Sequence, residues 1–335
     1  MYSCQWVAIV IHGYPLYRSG ADLRYLAKKA LAMIATLLAI SILAFLAFQV
    51  LPGDPTTAIL GINATPERAA ELRESLGLDE APLLRFGKWL GRFMMGDMGR
   101  SYSQNSQVAD LLIGKLQVTA ALSAIAFVFV LILSIPTGLY LARHEGRIVD
   151  KVSMVVNQLV MSVPSVLLGL VFTFVFGLLL RLFTPGQFTH FAQSPLRFCT
   201  QMFFPALAIA LPRSAMAVKL LRGSITSQMQ QDYVRTAYSR GNSRLGVLKN
   251  HVLRNAVIPV VTFLALTISD IVAGSIIVEQ VFVIPGIGRL LLNSISARDY
   301  PVVQAIIVIV AVVVVLSNFL ADAINQLIDP RMRLE

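Results

Sequence analysis

Six long apolar runs, separated by more polar stretches, are the dominant pattern of this sequence. A helix that crosses the roughly 30 Å hydrocarbon core of a bilayer needs about 20 mainly apolar residues. The runs that satisfy this requirement are Ala30–Leu51, Val118–Leu141, Val152–Leu182, Phe203–Leu221, Ala256–Val283 and Val302–Ile328. They lack the alternation of apolar and polar positions that is typical of outer-membrane barrel strands. The pattern therefore predicts an all-α integral membrane protein with six transmembrane helices, in which residues 30–335 form the membrane domain.

Composition supports this class and excludes most soluble folds. The 335 residues are 56% hydrophobic and 14% charged, whereas soluble domains are about 45–50% apolar and about 25% charged. A disordered chain would also be poorer in apolar residues. The two cysteines, Cys4 and Cys199, lie far apart and the four histidines are dispersed, so the sequence predicts no metal site in this chain.

The basic residues indicate how the spans are oriented. Lys and Arg are enriched in cytoplasmic loops, and they give this chain a net charge of +10. With six spans, most of them fall on one side: before the first span, between spans two and three, between spans four and five, and after the sixth. We therefore expect a cytoplasmic N-terminal segment over residues 1–29, a cytoplasmic C-terminus and a long external loop over Pro52–Gln117. The positive charge is assigned to this bias and not to nucleic-acid binding.

The sequence contains none of the motifs that would mark an enzyme. It has no GxxxxGK[ST] phosphate loop, no HExxH and no GxSxG, so it predicts neither ATP hydrolysis by that route nor peptidase or hydrolase chemistry. The segment Gly286-Ile287-Gly288 is only a fragment of a dinucleotide fingerprint and is interpreted as a turn. We expect a chain that is not an enzyme and that binds no cofactor.

The most informative segment lies between spans four and five. Asp232 can cap a helix that begins at Tyr233, because its carboxylate can accept hydrogen bonds from free backbone N–H groups. Tyr233, Ala237 and Gly241 follow at i, i+4 and i+8, which predicts one face on which small residues permit close approach. A second short helix is predicted over Arg244–Asn255. This pattern fits either a basic loop held at lipid headgroups or a docking element for a cytoplasmic partner.

Several segments, taken in order, resemble the permease subunits of ATP-binding cassette importers. The segment DYVRTAYSRG, followed by HVLRNAVIPVVT, is similar to their cytoplasmic signature. The segments Leu51–Pro55 (LPGDP), Val278–Ala305 and Asn318–Arg333 are similar to the dipeptide, oligopeptide and nickel permease family, in the first of its two permease types. The resemblance covers about residues 23–335 and implies the type I importer permease fold.

The signature departs from the general form of these importers, which has Glu-Ala-Ala and then Gly four residues after the last Ala. This chain has Arg235, Thr236 and Ala237 at those places, with Gly241 in register. The peptide branch of the family resembles this sequence rather than the general form. The resemblance implies that Tyr233, Arg235, Thr236, Ala237 and Gly241 form a coupling helix that contacts a cytoplasmic ATPase.

The resemblance also implies partners and a location. In such importers two permeases pair in the bacterial inner (plasma) membrane, here as a heterodimer. Each permease contacts one of two cytoplasmic ATPase subunits, and those subunits bind ATP and Mg. An extracytoplasmic binding protein delivers the substrate, and membrane lipid surrounds the spans.

Charged residues inside the predicted spans are candidates for the translocation path, because an intramembrane charge is costly and usually faces an interior or a path. Asp270 lies in the fifth span and Arg213 in the fourth. The two side chains would contact opposite ends of a zwitterionic peptide. The alternative is that such charges pair with other helices or with the sister permease, and for Asp322 in the sixth span this alternative is favoured.

Import of di- or oligopeptides is the leading functional hypothesis. Nickel or a metal chelate is the alternative within the same family, although no His or Cys lies clearly within a predicted span, which disfavours a path for the bare metal. A stand-alone secondary transporter is a third hypothesis, but the sequence has no visible internal repeat. A membrane scaffold that transports nothing is the fourth.

Overall fold

The computed structural model describes residues 23–50, 56, 65–75 and 80–328. Most of the expected N-terminal segment and the LPGDP segment lie outside these ranges. The helices are α1 Leu23–Val50, α2 Pro66–Ser75, α3 Pro82–Met94, α4 Val108–Arg143, α5 Ile148–Ser162, α6 Ser165–Phe172, α7 Pro195–Met229, α8 Asp232–Ser239, α9 Arg244–Val247, α10 Leu253–Ala256, α11 Ile258–Phe282, α12 Ile287–Ser296 and α13 Tyr300–Ile328. Two π-helical segments, Thr173–Leu179 and Leu248–Val252, follow α6 and α9. The predicted all-α class is confirmed.

Among the described residues, five single helices are long and apolar enough to cross a membrane. They are Lys28–Ala47 within α1, α4, α7, α11 and Tyr300–Ile324 within α13, and each overlaps one predicted span. The 35-residue α7 continues through Pro205 and Pro212, because neighbouring helices satisfy the backbone groups that a proline frees in a membrane helix.

The predicted third span, Val152–Leu182, is not one straight helix. Its two arms, α5 and α6 with the π-helical segment, meet at an angle of 94°. The break falls at Pro164, which has no backbone N–H, and Val163 before it is extended with φ −86° and ψ 122°. A residue that precedes proline is sterically disfavoured in the helical region, so the local sequence ends α5 at Ser162.

The bent pair nevertheless crosses from one end of the molecule to the other. Asp150 at the start of α5 forms an ion pair with Arg222, and Phe183 just beyond the pair stacks on Phe204 with 5.1 Å between ring centroids. Arg222 and Phe204 are eighteen positions apart on α7. At 1.5 Å per residue this is about 27 Å, close to the thickness of the hydrocarbon core. The pair is therefore a broken span, and the part of the chain that the structure describes has six spans.

Contacts between helix ends define two opposite ends of the bundle. Thr119 near the start of α4 meets Glu279 near the end of α11, and Tyr102 before α4 packs against Tyr300 at the start of α13. We call this the α12 end. The opposite end, which carries α8, α9 and α10, is the α8 end. Lys29 of α1 forms an ion pair with Asp322 of α13, so the Asp322 charge is paired with another helix.

The core is centred on α7. Its largest contact is with α4, where a Cβ on Gly138 would lie 2.9 Å from Cδ2 of Leu221, so any larger residue there would force the Leu221 side chain to shift. The main apolar cluster joins α4, α7, α8 and α11. A smaller cluster at the α12 end joins Phe93 of α3 to the starts of α4, α12 and α13.

Candidate functional site

The helix α8 has an inward face and an outward face. Val234 and Ala237 are buried, with 1% and 5% of their surfaces exposed, and belong to the main apolar cluster. Tyr233 is half-buried and donates from its hydroxyl to Oε1 of Gln228 at 2.8 Å. Arg235 points outward with 80% of its side chain exposed. A short helix is thus fixed by its apolar face and presents its polar face at the α8 end.

The start of α8 differs from the predicted cap. Asp232 is the first residue of the helix, Gln231 is the capping residue, and no side chain accepts a hydrogen bond there. The Asp232 side chain is 95% exposed and lies 3.5 Å from the Arg235 guanidinium. The carboxylate still interacts favourably with the positive end of the helix dipole, but it does not cap the helix as expected.

The end of α8 explains Gly241. The helix ends at Ser239, and Gly241 has φ +79°, in the left-handed region that favours glycine. Its N–H donates to the Tyr238 carbonyl at 2.9 Å, and Nδ2 of Asn242 donates to the Ala237 carbonyl at 3.0 Å. A Cβ at Gly241 would meet nothing within 4 Å, so this turn is open to the outside.

The chain after α8 is also packed onto the spans. Ser243 accepts a hydrogen bond from the Gly246 N–H at 3.2 Å and starts α9. Val247, Val252 and Ala256 in the following helical turns have no exposed surface and belong to the same cluster as α8. The predicted helix over Arg244–Asn255 therefore exists, with a π-helical turn at its centre.

The five residues expected at an ATPase contact fall into two groups. Tyr233 and Ala237 share a face, as their spacing indicates, but that face packs on the chain's own core. Arg235 and Thr236 are exposed on the outward side, and Gly241 lies beyond the helix end. The small side chain of Ala237 thus permits close approach to the spans of this chain.

The two charged residues considered for a translocation path lie together. Arg213 and Asp270 are near the middle of α7 and α11, and Nη1 of Arg213 lies 3.0 Å from Oδ2 of Asp270. Their side chains are 41% and 48% exposed. Leu266 and Ile277 lie on the same exposed face of α11 as Asp270. An ion pair thus stands at mid-span on the outer surface of the single chain.

A second ion pair, which sequence reasoning missed, joins α5 to α7 towards the α8 end. Nε and Nη2 of Arg222 donate to the two carboxylate oxygens of Asp150, both at 2.7 Å. The Gly146 N–H donates to the same carboxylate at 3.0 Å. The Asp150 side chain is only 3% exposed. Seventy-two positions separate the partners, and no local pattern in the sequence indicates this pairing.

At the α12 end a buried carboxylate holds three helices. Glu279 of α11 accepts hydrogen bonds from Oγ1 of Thr119 at 2.6 Å and from the Gly288 N–H at 2.7 Å, and it has no exposed surface. A side chain at Gly286 would clash with this carboxylate, and one at Gly288 would clash with the Ile276 backbone. The Gly-Ile-Gly segment is therefore the start of α12, packed closely on α11, and not the turn that was expected: Gly286 precedes the helix, and Ile287 and Gly288 are its first residues.

Asp299 is a further residue that sequence reasoning missed. It is fully buried and accepts hydrogen bonds from Ser101 Oγ at 2.5 Å, Ser103 Oγ at 2.7 Å and the Tyr102 N–H at 3.0 Å. These contacts fasten the loop before α4 to the start of α13. Asp299 lies within Val278–Ala305, one of the segments that resemble the permease family. Nothing in the local sequence indicated that its carboxylate is buried.

Comparison with known proteins gives matches along most of the chain. The family model described as binding-protein-dependent transport system inner membrane component matches residues 134–334, and the model of the N-terminal membrane component of such systems matches residues 22–123. A Brucella abortus protein described as a peptide transport system permease is 34% identical over 308 residues, which are 92% of this chain and 98% of the relative.

Two further relatives agree. The oligopeptide transport system permease protein AppB of Bacillus subtilis is 31% identical over 316 residues, covering 92% of this chain and 98% of the relative. A Sinorhizobium fredii protein described as a peptide ABC transporter permease is 30% identical over 309 residues, covering 92% of this chain and 99% of the relative. The matched ranges include α8 and five of the six spans in full, and they include both ends of α4, whose residues 124–133 lie between the two ranges.

Proposed function

The chain belongs to the family of binding-protein-dependent transport system inner membrane components, and on that premise we propose that it forms half of the translocation path of an ATP-driven importer of di- or oligopeptides. It is a multi-pass protein of the inner membrane with the type I importer permease fold. The relatives named above are described as peptide or oligopeptide permeases, which supports peptides over nickel or a metal chelate as the substrate. A second permease, two ATPase subunits and an external binding protein complete the proposed complex.

The observation that carries this proposal is α8, an exposed polar helix seated on the spans. Its outward residues Arg235 and Thr236, with the open turn at Gly241, form the proposed contact with an ATPase subunit. Tyr233 and Ala237 also hold the helix on the core of the chain. The chain itself carries out no hydrolysis, and the ATPase partner supplies the energy. This assignment places the α8 end and both termini in the cytoplasm.

The packing of α8 supplies a route for mechanical coupling. Val234 and Ala237 belong to one apolar cluster with residues of α4, α7 and α11. Protein interiors are close-packed and transmit strain, so a displacement of α8 by a closing ATPase pair would move these spans. Alternating exposure of the path would follow from that movement.

The mid-span ion pair indicates which face is covered. A charged side chain at the centre of a lipid-facing helix costs about 2.5–3.5 kcal/mol on insertion scales. Arg213 and Asp270 are nearly half-exposed in the single chain, so we place this face against the sister permease and the path. The ammonium end of a peptide would bind Asp270 and its carboxylate end would bind Arg213, in place of the contact between the two side chains. In the alternative, the pair only fastens α7 to α11, and peptide uptake would then survive replacement of both charges by neutral side chains.

Reconstitution of the purified complex tests the proposal. The wild-type chain should co-purify with two ATPase subunits and a sister permease, and proteoliposomes should take up a labelled dipeptide or oligopeptide only with ATP and the binding protein. Arg235→Glu should lower ATPase co-purification severalfold. Arg197→Glu is the matched control, because Arg197 is an exposed arginine on α7 at the opposite end.

Three outcomes would contradict the proposal. A chain that purifies without partners would refute the importer class. Uptake of nickel that peptides do not inhibit would refute the assignment of peptides as the substrate. Equal effects of the two arginine substitutions on ATPase binding would refute the assignment of α8.

A further inference from the structure

The helix α3, in the segment between the first two spans, has an apolar side and a basic side. At 100° per residue, six apolar side chains fall within an arc of about 140°. They are Leu83, Phe86, Trp89, Leu90, Phe93 and Met94. The basic residues Arg85, Lys88 and Arg92 form a separate arc, and no residue of this helix is fully buried by the protein.

The protein covers only one edge of the apolar arc. The rings of Phe86 and Trp89 pack against Phe45 of α1, with centroids 5.5 Å and 6.2 Å apart, and Phe93 packs on the cluster at the α12 end. The other edge is uncovered: Leu83 is 86% exposed and Met94 is 81% exposed. These two residues are eleven positions apart and therefore lie on the same side of the helix.

The contact with Phe45 fixes the depth of α3 in the membrane. The helix α1 ends at Val50, five residues beyond Phe45, which is about 7.5 Å along the helix axis. The helix α3 thus meets the first span within its last turns, near the boundary between the hydrocarbon core and the headgroups. Helices with an apolar face and a Lys/Arg-rich polar face lie in this boundary, buried by about 5–10 Å.

We propose that α3 is an interfacial helix that docks on the bilayer leaflet at the α12 end of the molecule. Leu83 and Met94, which the protein leaves uncovered, enter the acyl-chain boundary together with the half-buried Leu90. Lys88 and Arg92 face the phosphate layer, where basic side chains are attracted to anionic headgroups, while the Arg85 guanidinium lies over the Phe45 ring, 5.7 Å from its centroid. Glu80 forms an ion pair with Lys88 at 2.6 Å. The external segment is thereby held both by the first span and by lipid.

Single-tryptophan variants of the full-length chain test this docking. The sequence has two tryptophans, Trp6 and Trp89, and replacing both by Phe gives a silent background. Met94→Trp then reports on the apolar arc and Lys88→Trp on the basic arc of the same helix. The chain is reconstituted in bilayers of phosphatidylethanolamine and phosphatidylglycerol that carry bromine atoms on the upper acyl chain. Quenching by the brominated lipid is compared with quenching by aqueous acrylamide.

Opposite quenching patterns are expected. Met94→Trp should be quenched severalfold more strongly by brominated lipid than Lys88→Trp, and acrylamide should give the reverse order. Leu83→Trp, on the apolar arc at the other end of the helix, should behave like Met94→Trp. Far-UV circular dichroism identifies any variant that fails to fold. If Met94→Trp or Leu83→Trp fails to fold, the other of the two is compared with Lys88→Trp.

Each other result overturns the docking. Equal access of acrylamide to all three positions would place α3 in water. Protection of Met94→Trp from both quenchers would mean that a protein surface covers it. Equal lipid quenching at both arcs would remove the amphipathic orientation. The measurement needs neither ATP nor peptide, so its outcome is independent of the proposed transport function.

Discussion

Removal of the Asp150 carboxylate should destabilise the fold strongly, whereas removal of the Asp232 carboxylate should not, although each aspartate faces an arginine. The Asp150 side chain is 3% exposed, and its partner Arg222 is 20% exposed and bonded through two atoms at 2.7 Å. The Asp232 side chain is 95% exposed and lies 3.5 Å from Arg235. Comparison of the two aspartates therefore contrasts a buried ion pair with a solvent-exposed one.

The magnitude follows from the charge that remains. Arginine stays protonated in proteins, so Asp150→Ala leaves the Arg222 guanidinium largely buried without a counterion. Breaking a buried pair in this way costs about 3–5 kcal/mol, and the residual exposure of Arg222 lowers our expectation to about 2–4 kcal/mol. At about 2–4 °C per kcal/mol for a large domain, the unfolding midpoint should fall by roughly 4–16 °C. Solvent screens the exposed pair, and only its weak interaction with the helix dipole is lost, so Asp232→Ala should lower the midpoint by no more than about 2 °C.

Thermal unfolding of the purified full-length chain in lipid nanodiscs measures both shifts. The double variant Asp150→Leu/Arg222→Met replaces the pair by apolar groups and should be more stable than Asp150→Ala, because no unpaired charge remains. Equal midpoints for Asp150→Ala and Asp232→Ala would refute the reasoning. So would a double variant that is no more stable than Asp150→Ala.

Three further predictions concern single positions. Gly241→Val should strain a turn held at φ +79° and uncouple ATP hydrolysis from peptide uptake while the complex still assembles; normal uptake in proteoliposomes would contradict the role of this turn. Gly288→Ala should lower the amount of folded protein, because the new methyl group clashes with the Ile276 backbone, whereas Gly274→Ala, which meets nothing within 4 Å, should be tolerated in the same size-exclusion assay. Asp270→Ala should reduce both stability and uptake, and Arg213→Gln/Asp270→Asn should restore stability but not uptake; restored uptake would mean that the pair only fastens α7 to α11.

Sequence reasoning was most reliable where a local signal was sufficient. The spacing of Tyr233 and Ala237 predicted that they share a helix face, and they do. It did not reveal what that face touches, since a small apolar face suits an external partner and the chain's own core equally well. The same limit applies to Asp232, because whether it caps the helix or enters its first turn depends on the path of the preceding chain.

The charged pairs show a second limit. Arg213 and Asp270 could be selected one by one, because a charge within an apolar run stands out, but only the fold brings them within 3.0 Å. Asp150 and Arg222 lie at the edges of apolar runs, where charges are common, so nothing in the sequence marked them as a buried pair. Asp299 was missed for the same reason.

The sequence by itself determined the membrane class, the number of spans and the identity of the family, because length, hydropathy and an ordered series of motifs are properties of the linear chain. Tertiary structure decided how the third span bends at Pro164 and still crosses the membrane, since that depends on which parts of α7 its two arms contact. Tertiary structure also decided which side of α8 faces away from the spans. The outward face of that helix is defined only once Val234 and Ala237 are buried among the spans, and burial is a property of packing that no stretch of sequence specifies alone.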